Sequence, residues 1–267
     1  MNSALAALPV SYQDVADAAD RIRPLVVETP LLEVADLSDA IGGRFFVKCE
    51  NPQRTGSFKL RGGMNALASL SPEDRAKGVV AYSSGNHAQG VAAAARHFGV
   101  AATIIMPEDA PVIKRDNTQA LGATVVTYDR YSESREALGQ KIQAETGAIL
   151  IPPYDYLPTM VGQGTSAIEV TNQLRAKGLS LDTAIICCGG GGLAGGSALV
   201  YSTTFPHAKV WAAEPATHDD TTRSLIAGTR LSNDPDARSI CDAIVTPTPG
   251  EVTFPILQAC GVAGRTA

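Results

Sequence analysis

Short runs of β-branched and apolar residues alternate with helical patterns along residues 78–151 of this chain. The runs that have the length and composition of strands are Val79–Tyr82, Ala102–Met106, Thr124–Tyr128 and Ile149–Ile151. Glycine follows the intervening helical patterns, where it favours the left-handed conformation that ends a helix. Strands joined by crossover helices pair in parallel, so this stretch predicts a small α/β unit.

A second series of the same kind follows Pro153. The pattern predicts a helix over residues 164–177, a strand at Thr183–Cys188, a helix toward Tyr201 and a strand at Lys209–Ala213. Strands and helices therefore continue to alternate in the second half of the chain.

These patterns together predict an α/β fold with two three-layer αβα lobes around mostly parallel sheets. We predict that residues 78–155 form the small lobe, and that residues 1–77 and 156–267 form a larger, discontinuous lobe. A ligand site is then expected in the cleft between the two lobes.

The composition excludes several classes of protein. Hydrophobic residues make up 45% of the 267 residues, which excludes a disordered chain. The net charge is −5 without a basic patch, so we expect no nucleic-acid partner. No apolar run approaches the ~20 residues of a membrane helix. The five cysteines form no CxxC pair, and the first residues lack the basic residues and sustained apolar core of a signal peptide. We therefore expect no signal peptide, reduced thiols and a cytoplasmic location.

A run of four glycines, Gly189–Gly192, lies between a predicted strand and a predicted helix. Such a turn presents free backbone N–H groups at the positive end of a helix, and glycine lets a phosphate approach without a Cβ clash. A tight strand–helix turn without a ligand is the alternative. Because four consecutive glycines are costly for a turn alone, we predict a phosphate site.

Lys59 stands near the start of a helix predicted over residues 62–70, in the sequence Thr-Gly-Ser-Phe-Lys-Leu-Arg-Gly. Taken alone, it would be interpreted as a solvated lysine. A lysine amine beside a phosphate site, however, is what an aldehyde cofactor with a phosphate group requires. The lysine and the glycine run together therefore favour such a cofactor.

The segment Ser83–His87 follows a strand at the end where α/β proteins place ligand-binding groups. Asn86 offers an amide donor for a phenolic oxygen on a cofactor ring, and Ser84 offers a hydroxyl for proton exchange. The imidazole of His87 alone is interpreted as structural.

A loop after the last predicted strand carries Glu214 and Asp220. Two carboxylates at this spacing, with a carbonyl between them, supply oxygen ligands for a divalent cation. The spacing alone favours a solvated acidic helix start instead.

Five motifs occur in order between residues 56 and 250, and together they resemble those of the fold type II pyridoxal-phosphate enzymes, in the threonine/serine dehydratase and serine racemase group. The resemblance covers about residues 10–258. These motifs are Gly56–Gly62, Ser83–Gly90, Gly162–Thr165, Gly189–Leu193 and Pro247–Gly250. The resemblance implies a fold like that of the tryptophan synthase β chain. It also implies pyridoxal 5'-phosphate as the cofactor, with Mg²⁺ or another divalent cation as a possible addition.

The resemblance also implies roles for individual residues. Lys59 would hold the cofactor covalently, and Asn86 would bond its ring oxygen. The phosphate would lie on Gly189, Gly190, Gly191, Gly192 and the Leu193 amide. The substrate carboxylate would be bound by Ser83, Ser84, Gly85, Asn86 and His87, with Ser84 exchanging protons opposite Lys59. The divalent cation would be held by Glu214, the His218 carbonyl and Asp220.

The activity implied is α,β-elimination from L-threonine, L-serine or a related β-hydroxy amino acid. The freed Lys59 amine takes the α-proton, the β-hydroxyl leaves, and a 2-oxo acid and ammonia are released. Alternatives are racemisation of serine or β-replacement with the same cofactor, or a cofactor-binding chain without activity. A homodimer is expected.

The C-terminal end departs from the family pattern. Family members continue beyond the point where this chain ends, and residues 259–267 show neither a helical nor a strand period. We therefore expect a truncated, irregular C-terminus and an open sheet edge.

Overall fold

The computed structural model describes residues 3–267, and its first half alternates helices with short strands. The elements are α1 (Ser3–Ala6), α2 (Tyr12–Ile22), β1 (Leu31–Glu33), α3 (Ala35–Ile41), β2 (Phe46–Lys48), α4 (Lys59–Ala68), α5 (Pro72–Ala76), β3 (Val79–Tyr82), α6 (Asn86–Phe98), β4 (Ala102–Pro107), α7 (Val112–Ala120), β5 (Thr124–Tyr128), α8 (Arg135–Thr146) and β6 (Ile149–Leu150).

The second half continues the alternation. Its elements are α9 (Leu157–Ala176), β7 (Thr183–Cys187), α10 (Gly192–Thr204), β8 (Lys209–Glu214), α11 (Asp220–Ala227), a 3-10 turn (Asp242–Ile244), α12 (Thr253–Ala259) and β9 (Ala263–Thr266).

A four-stranded parallel sheet in the order β5-β4-β3-β6 forms the centre of residues 79–150. Successive strand residues point to opposite faces. Val79 and Ile104 therefore join the apolar cluster that contains Val91 of α6, whereas Val80 packs with Leu138 of α8 on the other face. Helices thus cover both faces of this sheet, and the predicted three-layer α/β arrangement is confirmed.

The second sheet is also parallel, in the order β7-β8-β9, and it contacts α10 and α11. A small antiparallel pair, β1 with β2, lies apart from both sheets, with Leu31 opposite Lys48. The sheets are therefore mostly parallel, as predicted. The assignment of residues 78–155 to a separate small lobe stays a prediction.

The expectation of an irregular C-terminus was wrong for residues 263–266. This segment forms β9, which pairs in parallel with β8 so that Ala263 lies opposite Trp211 and Thr266 opposite Glu214. The guanidinium of Arg265 lies 4.5 Å from the ring centroid of Trp211. Small and polar residues carry no strand period of their own, so pairing with β8 decides this conformation.

Helices α4 and α6 approach each other closely because glycines face each other at their crossing. A Cβ on Gly63 would lie 2.7 Å from the carbonyl oxygen of Gly90, and a Cβ on Gly90 would lie 2.9 Å from the carbonyl of Lys59. Larger side chains would separate the two backbones. The crossing therefore holds the start of α4 next to the first turns of α6.

None of the helices in residues 3–267 is both long enough and apolar enough to span a membrane. The cytoplasmic location and the absence of a nucleic-acid partner stay predictions.

Candidate active site

Lys59 is the first residue of α4, three residues before the start that the sequence predicted for this helix. Its Nζ donates a hydrogen bond of 2.8 Å to the carbonyl oxygen of Pro153. Burial lowers the pKa of the Lys59 amine to about 8. A lowered pKa increases the share of neutral amine near neutral pH, and the neutral amine is the form that attacks an aldehyde.

The segment Ser83–Gly85 joins β3 to α6, and Asn86 is the first residue of that helix. The amide of Gly85 donates to Oγ of Ser83 at 3.1 Å, which makes a tight turn at the end of the strand. The first-turn amides of α6 have no acceptor within the helix and therefore suit a carboxylate. Asn86 itself is exposed. The α4–α6 crossing brings the helix that follows this segment against the backbone of Lys59, at Gly90.

The imidazole of His87 is 2% exposed and contacts the main chain. Its Nε2 lies 2.8 Å from the carbonyl oxygen of Ile151 and must therefore carry the proton. Burial and the charge of Lys59 lower the pKa of His87 to about 3, so the ring is neutral. This geometry agrees with the interpretation of His87 as a structural histidine.

A cleft of about 80 Å³ opens beside this segment, at the carboxyl ends of β3, β4 and β5. It is lined by Ser83, Ser84, Ile105, Pro107, Tyr128, Arg130 and Arg135. Arg130 pairs with Asp109, whereas Nε of Arg135 donates to Glu136 at 2.7 Å. Within residues 3–267, the Nη groups of Arg135 form no hydrogen bond. The cleft therefore presents a guanidinium with free donors.

Arg130 and Arg135 were not among the predicted site residues. Both follow β5, at the end of a parallel sheet where ligands bind in open α/β folds. Their position directly after a predicted strand could have marked them as candidate ligand-binding residues.

The glycine run connects β7 to α10, as the sequence predicted, and α10 begins at Gly192. Gly191 has a φ of 91°, a left-handed conformation that favours glycine. The first-turn amides of α10, including those of Gly192 and Leu193, have no acceptor within the helix. Their arrangement fits a phosphate at the positive end of a 13-residue helix.

The acidic residues predicted to bind a cation are both buried. The amides of Thr221 and Thr222 donate to Glu214 at 3.0 and 2.7 Å. One oxygen of Asp220 accepts from Asn233 at 2.6 Å, whereas the other is buried and has no hydrogen-bond partner among residues 3–267. Burial and the charge of Glu214 raise the pKa of Asp220 to about 7. Two buried acids with one unpaired oxygen fit a cation.

No group of three His, Cys, Asp or Glu side chains within residues 3–267 is arranged to hold a metal. The predicted ligand set has two carboxylates and the carbonyl of His218, and it would need waters to complete the shell.

Arg61 lies two residues after Lys59 and was not among the predicted site residues. Its side chain is fully buried and donates to Glu50 at 2.8 Å and to Glu169 at 2.6 and 2.9 Å. Lys48 also binds Glu169, at 2.6 Å. These ion pairs join the first turn of α4 to α9 and to the segment after β2, so they stabilise the position of Lys59.

Comparisons with known proteins agree with this geometry. The family described as pyridoxal-phosphate dependent enzyme matches residues 22–266. An L-threo-3-hydroxyaspartate ammonia-lyase of Saccharomyces cerevisiae is 44% identical over 249 residues, which cover 93% of this chain and 74% of that protein. A serine racemase of Schizosaccharomyces pombe is 39% identical over 248 residues, which cover 93% of this chain and 75% of that protein.

Among solved structures, the serine racemase of Dictyostelium discoideum superimposes with a TM-score of 0.86 at 37% identity. The match covers 93% of this chain and 78% of that chain. A solved threonine deaminase superimposes with a TM-score of 0.88 at 39% identity, over 96% of this chain and 82% of that chain.

Proposed function

This chain belongs to the family of pyridoxal-phosphate dependent enzymes, and from that premise we propose that it is an ammonia-lyase for β-hydroxy amino acids with a second carboxylate. The substrate class is that of 3-hydroxyaspartate, and the products are a 2-oxo acid and ammonia. The similarity to a hydroxyaspartate ammonia-lyase supports this substrate class over serine and threonine.

The residues present fit pyridoxal phosphate. The Lys59 amine, with its lowered pKa, would hold the aldehyde carbon, and Gly189, Gly190, Gly191, Gly192 and the Leu193 amide would bind the phosphate. Asn86 would bond the ring oxygen. When bound, the cofactor withdraws electron density from the α-carbon of the amino acid.

The chain's own groups then carry the reaction. The turn and first-turn amides of Ser83, Ser84, Gly85, Asn86 and His87 orient the α-carboxylate. Lys59 accepts the proton from the α-carbon. Loss of that proton and of the β-hydroxyl removes one water from the substrate. Addition of one water then releases the 2-oxo acid and ammonia.

The observation that carries the substrate assignment is the cationic cleft beside Ser84. A guanidinium matches a carboxylate with two parallel hydrogen bonds, and the free Nη groups of Arg135 suit the second carboxylate of the substrate. Serine and threonine bring no charge to this position.

Release of 2-oxo acid from L-threo-3-hydroxyaspartate, L-serine and L-threonine tests this proposal. We expect the highest kcat/KM with hydroxyaspartate. Arg135→Gln should lower that value by about 10-fold or more, since a hydrogen bond to a charged group contributes ~1.5–3 kcal/mol. Turnover of serine should change little.

Arg96→Gln is the matched control, because Arg96 lies in the last turn of α6, at the opposite end from the site. A preference of the wild type for serine or threonine would contradict the proposal. So would an equal loss with all three substrates in Arg135→Gln.

Racemisation is the second candidate, because Ser84 lines the cleft and a serine racemase is among the similar proteins. Ser84 would supply a proton to the face of the α-carbon opposite Lys59. If racemisation occurs, Ser84→Ala should abolish formation of the D-amino acid while elimination continues. Chiral chromatography of the products separates the two activities.

A divalent cation at Glu214, the His218 carbonyl and Asp220 is also proposed, supported by the buried unpaired oxygen of Asp220. A cation at a hundredfold excess over its Kd stabilises the folded state by about 2.7 kcal/mol. Mg²⁺ should therefore raise the Tm of chelator-treated protein, and Asp220→Asn should abolish this increase. Asp182→Asn, at an exposed position, is the control. A Tm that does not respond to Mg²⁺ or chelator would contradict this assignment.

We also propose that the chain assembles as a homodimer, which sedimentation equilibrium of the purified protein would test. A single monomeric species at micromolar concentration would contradict it.

A further inference from the structure

The segment between β6 and α9, Ile151–Tyr156, contacts several parts of the candidate site in succession. The carbonyl of Ile151 accepts from His87, and that of Pro153 accepts from Lys59. The ring of Tyr154 occupies the space beside Gly190, where a Cβ would lie 2.2 Å from ring atoms. Neither Tyr154 nor Asp155 takes part in the proposed reaction.

The carboxylate of Asp155 holds the turn before α12. Its Oδ2 accepts from the amide of Glu251 at 2.9 Å, and its Oδ1 accepts from the amide of Val252 at 2.7 Å. A Cβ on Gly250 would lie 2.5 Å from Oδ1, so the carboxylate reaches both amides only because residue 250 is glycine. Hydrogen bonds from amides to a charged acceptor are among the stronger ones in proteins.

The same turn holds the glycine run. The amide of Gly250 donates to the carbonyl of Gly190 at 3.3 Å, and Oγ1 of Thr253 donates to the same oxygen at 2.5 Å. Thr253 is fully buried. Asp155 and the Gly190 carbonyl therefore bind to the same short stretch, residues 250–253.

The position of the Gly190 carbonyl determines the direction of the Gly191 N–H. In a trans peptide unit, the C=O of Gly190 and the N–H of Gly191 lie in one plane and point in opposite directions. The carbonyl of Gly190 points at the turn, so the N–H of Gly191 points away from it. Consecutive glycines populate many backbone conformations, and an external anchor selects one of them.

We propose that Asp155 is a positioning residue for the cofactor's phosphate: it holds residues 250–253, which fix the Gly190 carbonyl and thereby direct the glycine-run amides. This inference rests on the proposed function, because it takes the glycine run as the phosphate site. Asp155 does not touch the phosphate itself.

The test compares two aldehydes that differ only in the phosphate. Apoprotein is titrated with pyridoxal phosphate and with pyridoxal, and binding is followed by the visible absorbance of the protein-bound aldehyde. In Asp155→Asn, one of the two acceptor oxygens becomes an amide group that cannot accept. We expect the Kd for pyridoxal phosphate to rise about tenfold, as loss of one charge-assisted hydrogen bond implies. The Kd for pyridoxal should stay within about twofold.

Thr253 provides an independent pair of variants in case Asp155→Asn folds poorly. Thr253→Val removes the hydroxyl at nearly constant volume and should weaken binding of pyridoxal phosphate selectively. Thr253→Ser keeps the hydroxyl and should restore it. Asp182→Asn is the matched control at an exposed position.

Equal binding of pyridoxal phosphate by Asp155→Asn and the wild type would overturn the inference. An equal loss of affinity for both aldehydes would also overturn it, because the effect would then not act through the phosphate. If the wild type binds neither aldehyde, the proposed cofactor site itself is wrong.

Discussion

Replacement of Arg61 by methionine should destabilise the protein strongly although Arg61 contacts no predicted ligand. Methionine keeps much of the side-chain volume but removes every donor. Among residues 3–267, the Glu50 carboxylate would keep its hydrogen bond from Thr29 at 2.6 Å. Glu169 would keep Lys48 at 2.6 Å and the Thr29 amide at 3.2 Å. Two partly buried carboxylates would then lose their shared cation.

The expected loss of unfolding free energy depends on how deeply these three side chains are buried. The Arg61 side chain is 0% exposed, and those of Glu50 and Glu169 are 14% and 16% exposed. Removing one partner of a buried ion pair costs about 3–5 kcal/mol. Because both carboxylates retain some water and Lys48 remains, we expect the lower end, about 3 kcal/mol. That loss corresponds to a Tm lower by roughly 6–12 °C for a chain of this size.

Urea unfolding of the purified protein, followed by circular dichroism, measures this loss. A double-mutant cycle with Glu50→Gln isolates the pair. Arg61→Met combined with Glu50→Gln should cost less than the sum of the two single changes, because no unpaired charge is left at residue 50. A loss below about 1 kcal/mol in Arg61→Met, or strict additivity in the cycle, would refute the reasoning.

Two further predictions concern the surroundings of Lys59. Gly90→Ala places a Cβ 2.9 Å from the carbonyl of Lys59. The overpacking should lower the free energy of unfolding by about 1–3 kcal/mol. The higher helix propensity of alanine offsets ~1 kcal/mol of that loss. Gly139→Ala, whose Cβ would find its nearest neighbour at 3.5 Å, should be neutral or stabilising in the same thermal unfolding assay; equal effects would contradict this account. The second prediction concerns pH: His87 has a folded-state pKa of about 3 against an ordinary value of 6.5. The unfolded chain therefore binds more protons between these values, and stability should fall as the pH falls from about 6.5. His87→Phe should reduce this slope of unfolding free energy against pH, and an unchanged slope would show that the imidazole does not titrate as described.

Much of the small sheet follows from local pattern. The strands β3 and β5 have the bounds that the sequence predicted, because buried parallel strands read as short β-branched runs between turns. The place of the glycine run between a strand and a helix could also be predicted from these local patterns. Lys59 and Ser83–His87 were predicted as site residues because their residue types suit the chemistry, and these roles stay predictions.

Other features depend on contacts between distant segments. Helix α9 begins at Leu157, not at residue 164. Glycine has a low helix propensity, so Gly162 disfavours a helix in the sequence pattern. In the structure Gly162 lies inside α9, where a Cβ would be 2.6 Å from the carbonyl oxygen of Arg61. The pairing of β9 depends on the edge of β8. Likewise, the partners of Arg61 and of Asp155 lie up to 108 residues away in the chain, so no local pattern identifies them.

The central claim is that Lys59 holds pyridoxal phosphate. The direct measurement is to reduce the holoprotein with borohydride, which converts the bond between lysine and aldehyde to a stable amine, and to map the modified peptide by mass spectrometry. We predict that the pyridoxyl-phosphate label lies on Lys59, and that Lys59→Ala treated in the same way carries none. A label on a different lysine, or an unlabelled wild-type protein purified with the cofactor, would contradict the assignment.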